Sequence, residues 1–142
     1  MKIDLNHSIG FNINKTANLL NSSFNQKLQP HGIALEQRAT LEILEFEKDV
    51  TQTKIAQILG KDKTTISRTL KTLEKKGFVK KEELNKRTYL IKLTKLGEEV
   101  LKNSSSTVQE FRTKMSAKLT QEEINTFLNT LEKFVSTLNE EK

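Results

Sequence analysis

Between Gln52 and Lys76 two stretches of helical character are joined by Gly60-Lys61-Asp62 alone, and so short a joint folds the second back across the first. Thr51 can cap the first stretch, Gln52 to Leu59. Its buried face reads as Ile55, Ile58 and Leu59, with Ala56 small enough for a close helix crossing. Asp62 can cap the second, Lys63 to Lys76, and Gly77 ends it after two lysines that suit the negative end of the helix dipole. Two short helices about a tight, glycine-bearing turn form a helix-turn-helix.

On a helical wheel with Ile66 at the origin, Leu70 and Leu73 lie within about 40° of it and define the inner side of the second helix. Thr64, Arg68, Lys71 and Lys75 cluster about the opposite direction. A hydroxyl and three long cations on one face suit a major-groove helix: arginine pairs bidentately with guanine, hydroxyls meet base edges, and lysines reach phosphates. Lys63, Thr65 and Ser67, near the positive end of the helix dipole, can add phosphate contacts. A basic helix alone is as often a solvated surface, so its neighbours decide the matter.

Downstream, Phe78 and Val79 open an extended segment, and Tyr89, Ile91 and Leu93 alternate with Leu90 and Lys92 as a strand does. The polar run Glu83 to Thr88 suits the tip of the resulting hairpin. Lys80, Lys81, Lys86 and Arg87 cluster on or beside it, and Arg87 is the residue placed to enter a narrow, electronegative minor groove.

The flanks are helical. Ile9, Ile13, Ala17, Leu20, Phe24 and Leu28 recur at three- and four-residue spacing over about Ser8 to Leu28, stopped by Pro30 and Gly32. A helix of about Leu35 to Glu47 follows, with Ala39, Leu41, Ile43, Leu44 and Phe46 as its apolar content. After Thr94 another helix carries Leu96, Val100, Val108, Phe111 and Met115 on one side, across a centre, Asn103 to Thr107, of poor helix propensity. The last is opened by a Thr120–Glu123 capping box, with Leu119 and Ile124 placed as a hydrophobic staple. Ile124, Phe127, Leu128, Leu131, Val135 and Leu138 then mark one long stripe.

Charge supports a polyanionic partner. Of a net +6, residues 54 to 95 contribute +9 and the remainder −3, the footprint of a surface that displaces counterions from phosphates. Cysteine is absent, which removes disulfides, thiol nucleophiles and thiol redox sensing and leaves Met1 and Met115 as poorer oxidation handles. His7 and His31 lack a ligand pattern, so no metal and no cofactor is expected. No nucleophile-and-base set or phosphate loop is recognisable, so the chain does not read as an enzyme. Asp4 and the lack of a continuous apolar run in Met1 to Gly10 speak against a secretory signal, making the cytoplasm the default.

The ordered set resembles the MarR family, the multiple-antibiotic-resistance regulators. The likeness runs through Gly32-Ile33, Gln37, Leu41 and Leu44, then Thr51 to Ala56, Asp62 to Arg68, Leu73 to Val79, the hairpin, and Leu93 to Gly97. It implies a mostly α winged helix-turn-helix fold with a small antiparallel β wing, in one domain over residues 1–142. A DNA-binding lobe of about 35–94 would sit between dimerisation helices of about 8–28 and 96–138. Ile9, Ile13, Ile124, Leu128, Leu131, Val135 and Leu138 are the dimerisation candidates. The resemblance also implies a homodimeric regulator of repressor type on a pseudo-palindromic double-stranded operator. A small aromatic or anionic effector would bind where the first helix, the start of the second and the fifth meet, near Phe11, Arg38 and Ser104. An exposed Arg38 near DNA is the alternative reading of that residue. Departures are Asn85 where relatives carry a wing aspartate, Lys54 where an acid commonly completes a cap, and Arg38 at an often apolar position. A winged-helix module for an acidic protein partner is the rival function, separable by the salt and sequence dependence of duplex binding.

Overall fold

The computed structural model describes Lys2 and residues 4–141; Met1 lies outside the described residues. Helices α1 (Ile9–Leu28), α2 (Leu35–Phe46), α3 (Gln52–Leu59) and α4 (Lys63–Lys75) are followed by strands β1 (Val79–Asn85) and β2 (Thr88–Leu93), then α5 (Lys95–Ser116) and α6 (Gln121–Glu140). The chain divides into two compact units, Met1–Thr107 and Val108–Lys142, and α5 runs from one into the other.

In the first unit, local chemistry sets most element ends. Ser8 caps α1, a 3-10 turn at Gln29–His31 containing Pro30 follows it, and Gly32 at φ 69° turns the chain into α2. Phe24 and Leu28 bury the end of α1, and Leu41, Val50, Ile55, Ile66, Leu70, Leu73, Val79, Leu90, Ile91 and Leu101 form the core. The antiparallel pair β1–β2 closes this core from Val79 opposite Leu93 to Asn85 opposite Thr88.

The expected alternation along β2 gives way at its centre, where Leu90 and Ile91 are both buried and Tyr89 is exposed. The Ile91 N–H donates to the Val50 carbonyl at 2.8 Å, so the α2–α3 connection covers the free edge of the hairpin and buries a residue from each face. Two other expectations are corrected. Ile58, expected inside, is half exposed, and Phe46, counted with the apolar content of α2, is 87% exposed at the last turn of that helix. The inner face of α3 is narrower than its apolar content, Ile55 and Ala56 alone being buried.

Helix α5 is continuous through its serine-rich centre. Its buried stripe is Gly97, Leu101, Ser104 and Val108, one step round from the expected side, and Leu96 and Met115 are exposed. Ser104 can be inside because its hydroxyl donates back to the Val100 carbonyl at 2.6 Å and accepts from Arg38 Nε at 2.8 Å. The α5 entrance is equally specific. The Thr94 N–H donates to the Phe78 carbonyl, and the Thr94 hydroxyl accepts from the Gly97 N–H at 3.1 Å.

In the second unit α6 opens with the expected box: Thr120 Oγ1 accepts from the Glu123 N–H at 3.1 Å, and Glu123 Oε1 accepts from the Thr120 N–H at 3.0 Å. No residue of α6 is buried. Phe127, Leu128, Val135 and Leu138 are all at least half exposed, and Ile124 and Leu131 partly covered.

Candidate nucleic-acid interface

The turn between α3 and α4 is built by backbone geometry. Gly60 at φ 64° ends α3, and the Lys61 N–H returns to the Ala56 carbonyl at 3.0 Å, a left-handed step that glycine takes without cost. Across the turn Gln52 Nε2 donates to the Lys63 carbonyl at 3.0 Å, tying the start of α3 to the start of α4. Asp62 caps α4 by accepting from the Thr65 N–H at 2.7 Å. That hydrogen bond, with the Thr65 hydroxyl and the charge of Arg68, holds the Asp62 carboxyl below the usual carboxylate range.

From this start α4 turns Ile66, Leu70 and Leu73 inward. Lys63, Thr64, Arg68, Lys71 and Lys75 are exposed, and Thr65 and Ser67 are half-buried at the margin. A brace missed in the sequence supports the helix from behind. The Thr69 hydroxyl donates to Glu36 Oε1 at 3.1 Å, and the other oxygen of Glu36 lies 3.8 Å from Lys61 Nζ in the turn. Only the fold brings a residue of α2 to residues 25 and 33 positions later, so no local spacing could have revealed it.

The cations divide into two sets. Lys54 pairs with Glu47 at 3.3 Å, and Lys81 pairs with Glu74 at 3.6 Å while lying over the Tyr89 ring. Lys76 donates to the Gly32 carbonyl and Gln37 Oε1, each at 2.9 Å. These three brace the lobe. Among the described residues, Lys63, Arg68, Lys71, Lys75, Lys86 and Arg87 form no ion pair and are exposed, which leaves their charge open to a polyanion.

At the wing, the strands run closer together than the polar run Glu83 to Thr88 suggests: Glu83 and Leu84 belong to β1, and Lys86 and Arg87 alone form the tip. Arg87 is exposed, and Asn85 accepts from backbone N–H groups of the tip without touching the arginine head.

The proposed effector residues behave differently. Arg38 is buried, which corrects the reading of it as an exposed arginine near DNA. Its guanidinium donates to Ser104 Oγ, to the Leu101 carbonyl at 3.1 Å and to Glu42 Oε1. Arg38 and Ser104 are thus together, and Phe11 lies half-buried near the start of α1. A separate open cleft of about 570 Å³ is lined by Ser22, Asn25, Gln26, Gln29, Gly32, Ile33, Ala34 and Lys76. His7 pairs with Asp4 at 3.0 Å, and His31 Nε2 meets the Thr107 hydroxyl at 2.9 Å.

A MarR family model matches residues 31–87, the stretch from the entrance of α2 through the wing tip. An uncharacterised HTH-type transcriptional regulator of Bacillus subtilis (strain 168), YwoH, is 27% identical over 132 residues, covering 92% of this chain and 96% of the relative. The chain is similar to MarR-family regulators over residues 31–87. Its whole fold agrees with that likeness. The crystal structure of a MarR/EmrR family regulator from Acinetobacter sp. ADP1 superposes with a TM-score of 0.89 at 28% identity, over 97% of this chain and 99% of that one. A Staphylococcus aureus MepR–DNA complex gives 0.85 at 26% identity, over 92% and 98%. The basic face of α4 and the wing therefore lie within the stretch that the MarR family model matches. Among the described residues, none of its helices is long and apolar enough to cross a membrane.

Proposed function

We propose that this MarR-like protein is a cytoplasmic homodimer that binds a pseudo-palindromic double-stranded operator, inserting α4 of each protomer in a major groove and Arg87 in the flanking minor groove. It acts as a repressor and not as a catalyst. The observation that carries the proposal is a row of exposed cations: among the described residues Lys63, Arg68, Lys71, Lys75, Lys86 and Arg87 face solvent on α4 and the wing and form no ion pair, whereas Lys54, Lys76 and Lys81 are held by partners within the lobe. The relative solved with DNA, MepR, supports it. In this assignment Arg68 reads a base edge, and Thr64 and Lys71 stand beside it. Lys63, Thr65, Ser67 and Lys75 hold phosphates, and Lys86 and Arg87 serve the wing.

Arg68→Ala is expected to weaken the preferred duplex by about 1–3 kcal/mol and to flatten base preference. Lys75→Ala weakens all duplexes alike and reduces the salt slope by about one. Competition binding with single-base variants of a selected site checks both. An Arg68→Ala protein with unaltered preference would place the reading face elsewhere on α4.

The dimer rests on apolar surface. Ile9 is 64% exposed, with Ile13 half-buried one turn on, and the α6 stripe Ile124, Leu128, Leu131, Val135 and Leu138 contains no buried residue. Such stripes on terminal helices suit a two-fold interface. Sedimentation at micromolar concentration is expected to give a dimer with concentration-dependent unfolding; a fully folded, monodisperse monomer would contradict it.

For the effector, we place a small aromatic anion beside Phe11, Arg38 and Ser104. To bind there it must take the Arg38 guanidinium from Glu42, which couples occupancy to the α2–α5 junction.

A further inference from the structure

The wing tip poses a physical problem. Two-residue hairpin loops favour primed turns, in which central residues take positive φ and glycine or asparagine is preferred. Here the central residues are Lys86 and Arg87. Asp49 is the sole non-glycine with positive φ among the described residues, so the tip is not a primed turn. The strands absorb the mismatch by an irregularity: the register shifts between Glu83 and Asn85, leaving Leu84 unpaired. What closes the turn is Asn85, whose side-chain oxygen accepts from the Arg87 N–H at 3.0 Å and from the Thr88 N–H at 3.1 Å.

We infer that Asn85 is the positioning residue of the wing: its amide oxygen fixes the backbone that carries Lys86 and Arg87, and its neutrality leaves their full charge to a polyanion. An aspartate could accept the same two N–H groups. It would also set a negative charge directly beside the two cations, in a strand that already carries Glu82 and Glu83. The amide supplies the acceptor without that charge. Asparagine therefore acts here through the backbone and the local potential, with no bond to the Arg87 head required. The inference rests on the reading of the basic face as a DNA interface and assigns a residue on which that reading depends.

The test uses the full-length dimer, a duplex selected by the protein from random sequence, and Asn85→Asp, Asn85→Ala, Arg87→Ala and Asn85→Ala/Arg87→Ala. Amide exchange is measured at Arg87 and Thr88 without DNA, and affinity is followed from low to high salt. Asn85→Asp should keep both amides protected yet bind about fourfold more weakly at low salt, the effect of one unit charge about 5 Å from a phosphate in water. The deficit should shrink as salt screens it. A residue that merely held the turn would leave this variant at wild-type affinity. Asn85→Ala should lose protection at both amides and much of the affinity that Arg87→Ala loses, and the losses in the double variant should be less than additive. Wild-type binding by Asn85→Asp, unchanged exchange in Asn85→Ala, or additive losses in the double variant would each overturn the inference. A wild-type protein that bound no duplex in a salt-dependent way would overturn the DNA reading as well.

Discussion

Arg38→Ala is expected to lower the unfolding free energy by about 3 kcal/mol, the cost of removing one member of a mostly buried charge network. The arginine is 6% exposed and joins α2 to α5 through Ser104 Oγ and the Leu101 carbonyl, while Glu42 neutralises it one helical turn away. Truncation leaves the Ser104 hydroxyl and the Glu42 carboxylate with one partner fewer each and opens a void the length of the side chain. Glu42 is about one-third exposed and can turn to water, which keeps the loss at the lower end of the range for buried pairs. Glu42→Gln should cost less than Arg38→Ala, about 1–2 kcal/mol, since an amide oxygen can still accept from the guanidinium but no longer neutralises it. Urea unfolding of the three proteins at one fixed protein concentration decides this; equal midpoints for wild type and Arg38→Ala would contradict the bracing role.

Gly97→Ala should be comparably damaging for a different reason. A Cβ at this position would lie 2.2 Å from the Phe78 carbonyl oxygen and 3.1 Å from Leu93 Cδ2. The first obstacle is backbone, fixed by the hydrogen bond from the Thr94 N–H, and cannot rotate away. Helix α5 must therefore shift from the hairpin, at a cost of about 3 kcal/mol or more. Gly77→Ala is the control. Its Cβ would meet nothing nearer than Leu96 Cδ2 at 3.6 Å, and the penalty comes only from φ of +79°, about 1–2 kcal/mol. Thermal unfolding should rank wild type, Gly77→Ala and Gly97→Ala in falling order. A Gly97→Ala protein as stable as the parent would mean that the helix entrance has slack the geometry denies.

These two sites show which parts of the fold were legible in the sequence. The bounds of α3, α4 and α6 were readable because Thr51, Asp62 and Thr120 make their capping bonds within three residues, and the glycine at position 60 advertises its left-handed turn. Interactions spanning long separations were not. Arg38 and Ser104 are 66 residues apart, and the polar composition around Ser104 hid a buried position. Ile58 and Phe46 misled because apolar character marks what a helix could bury and not the area its neighbours supply. The paired burial of Leu90 and Ile91 arises from the Val50 carbonyl, contributed by a segment with no strand pattern of its own. At the candidate interface, the exposed side of α4 followed from its period. Which lysines brace the lobe depended on Glu47, Glu74 and the Gly32 carbonyl, which only the folded chain brings near.

The most direct measurement is fluorescence anisotropy of the full-length protein on duplexes recovered by selection from random sequence, titrated over salt concentration. The proposed function predicts a recovered motif with two related half-sites about one helical turn apart. It also predicts a preference of at least about 10³ over unrelated duplex and a slope of log affinity against log salt steeper than about −4. Binding that was indifferent to sequence, or that persisted unchanged as salt rose, would contradict it and leave the basic lobe as a surface for an acidic protein.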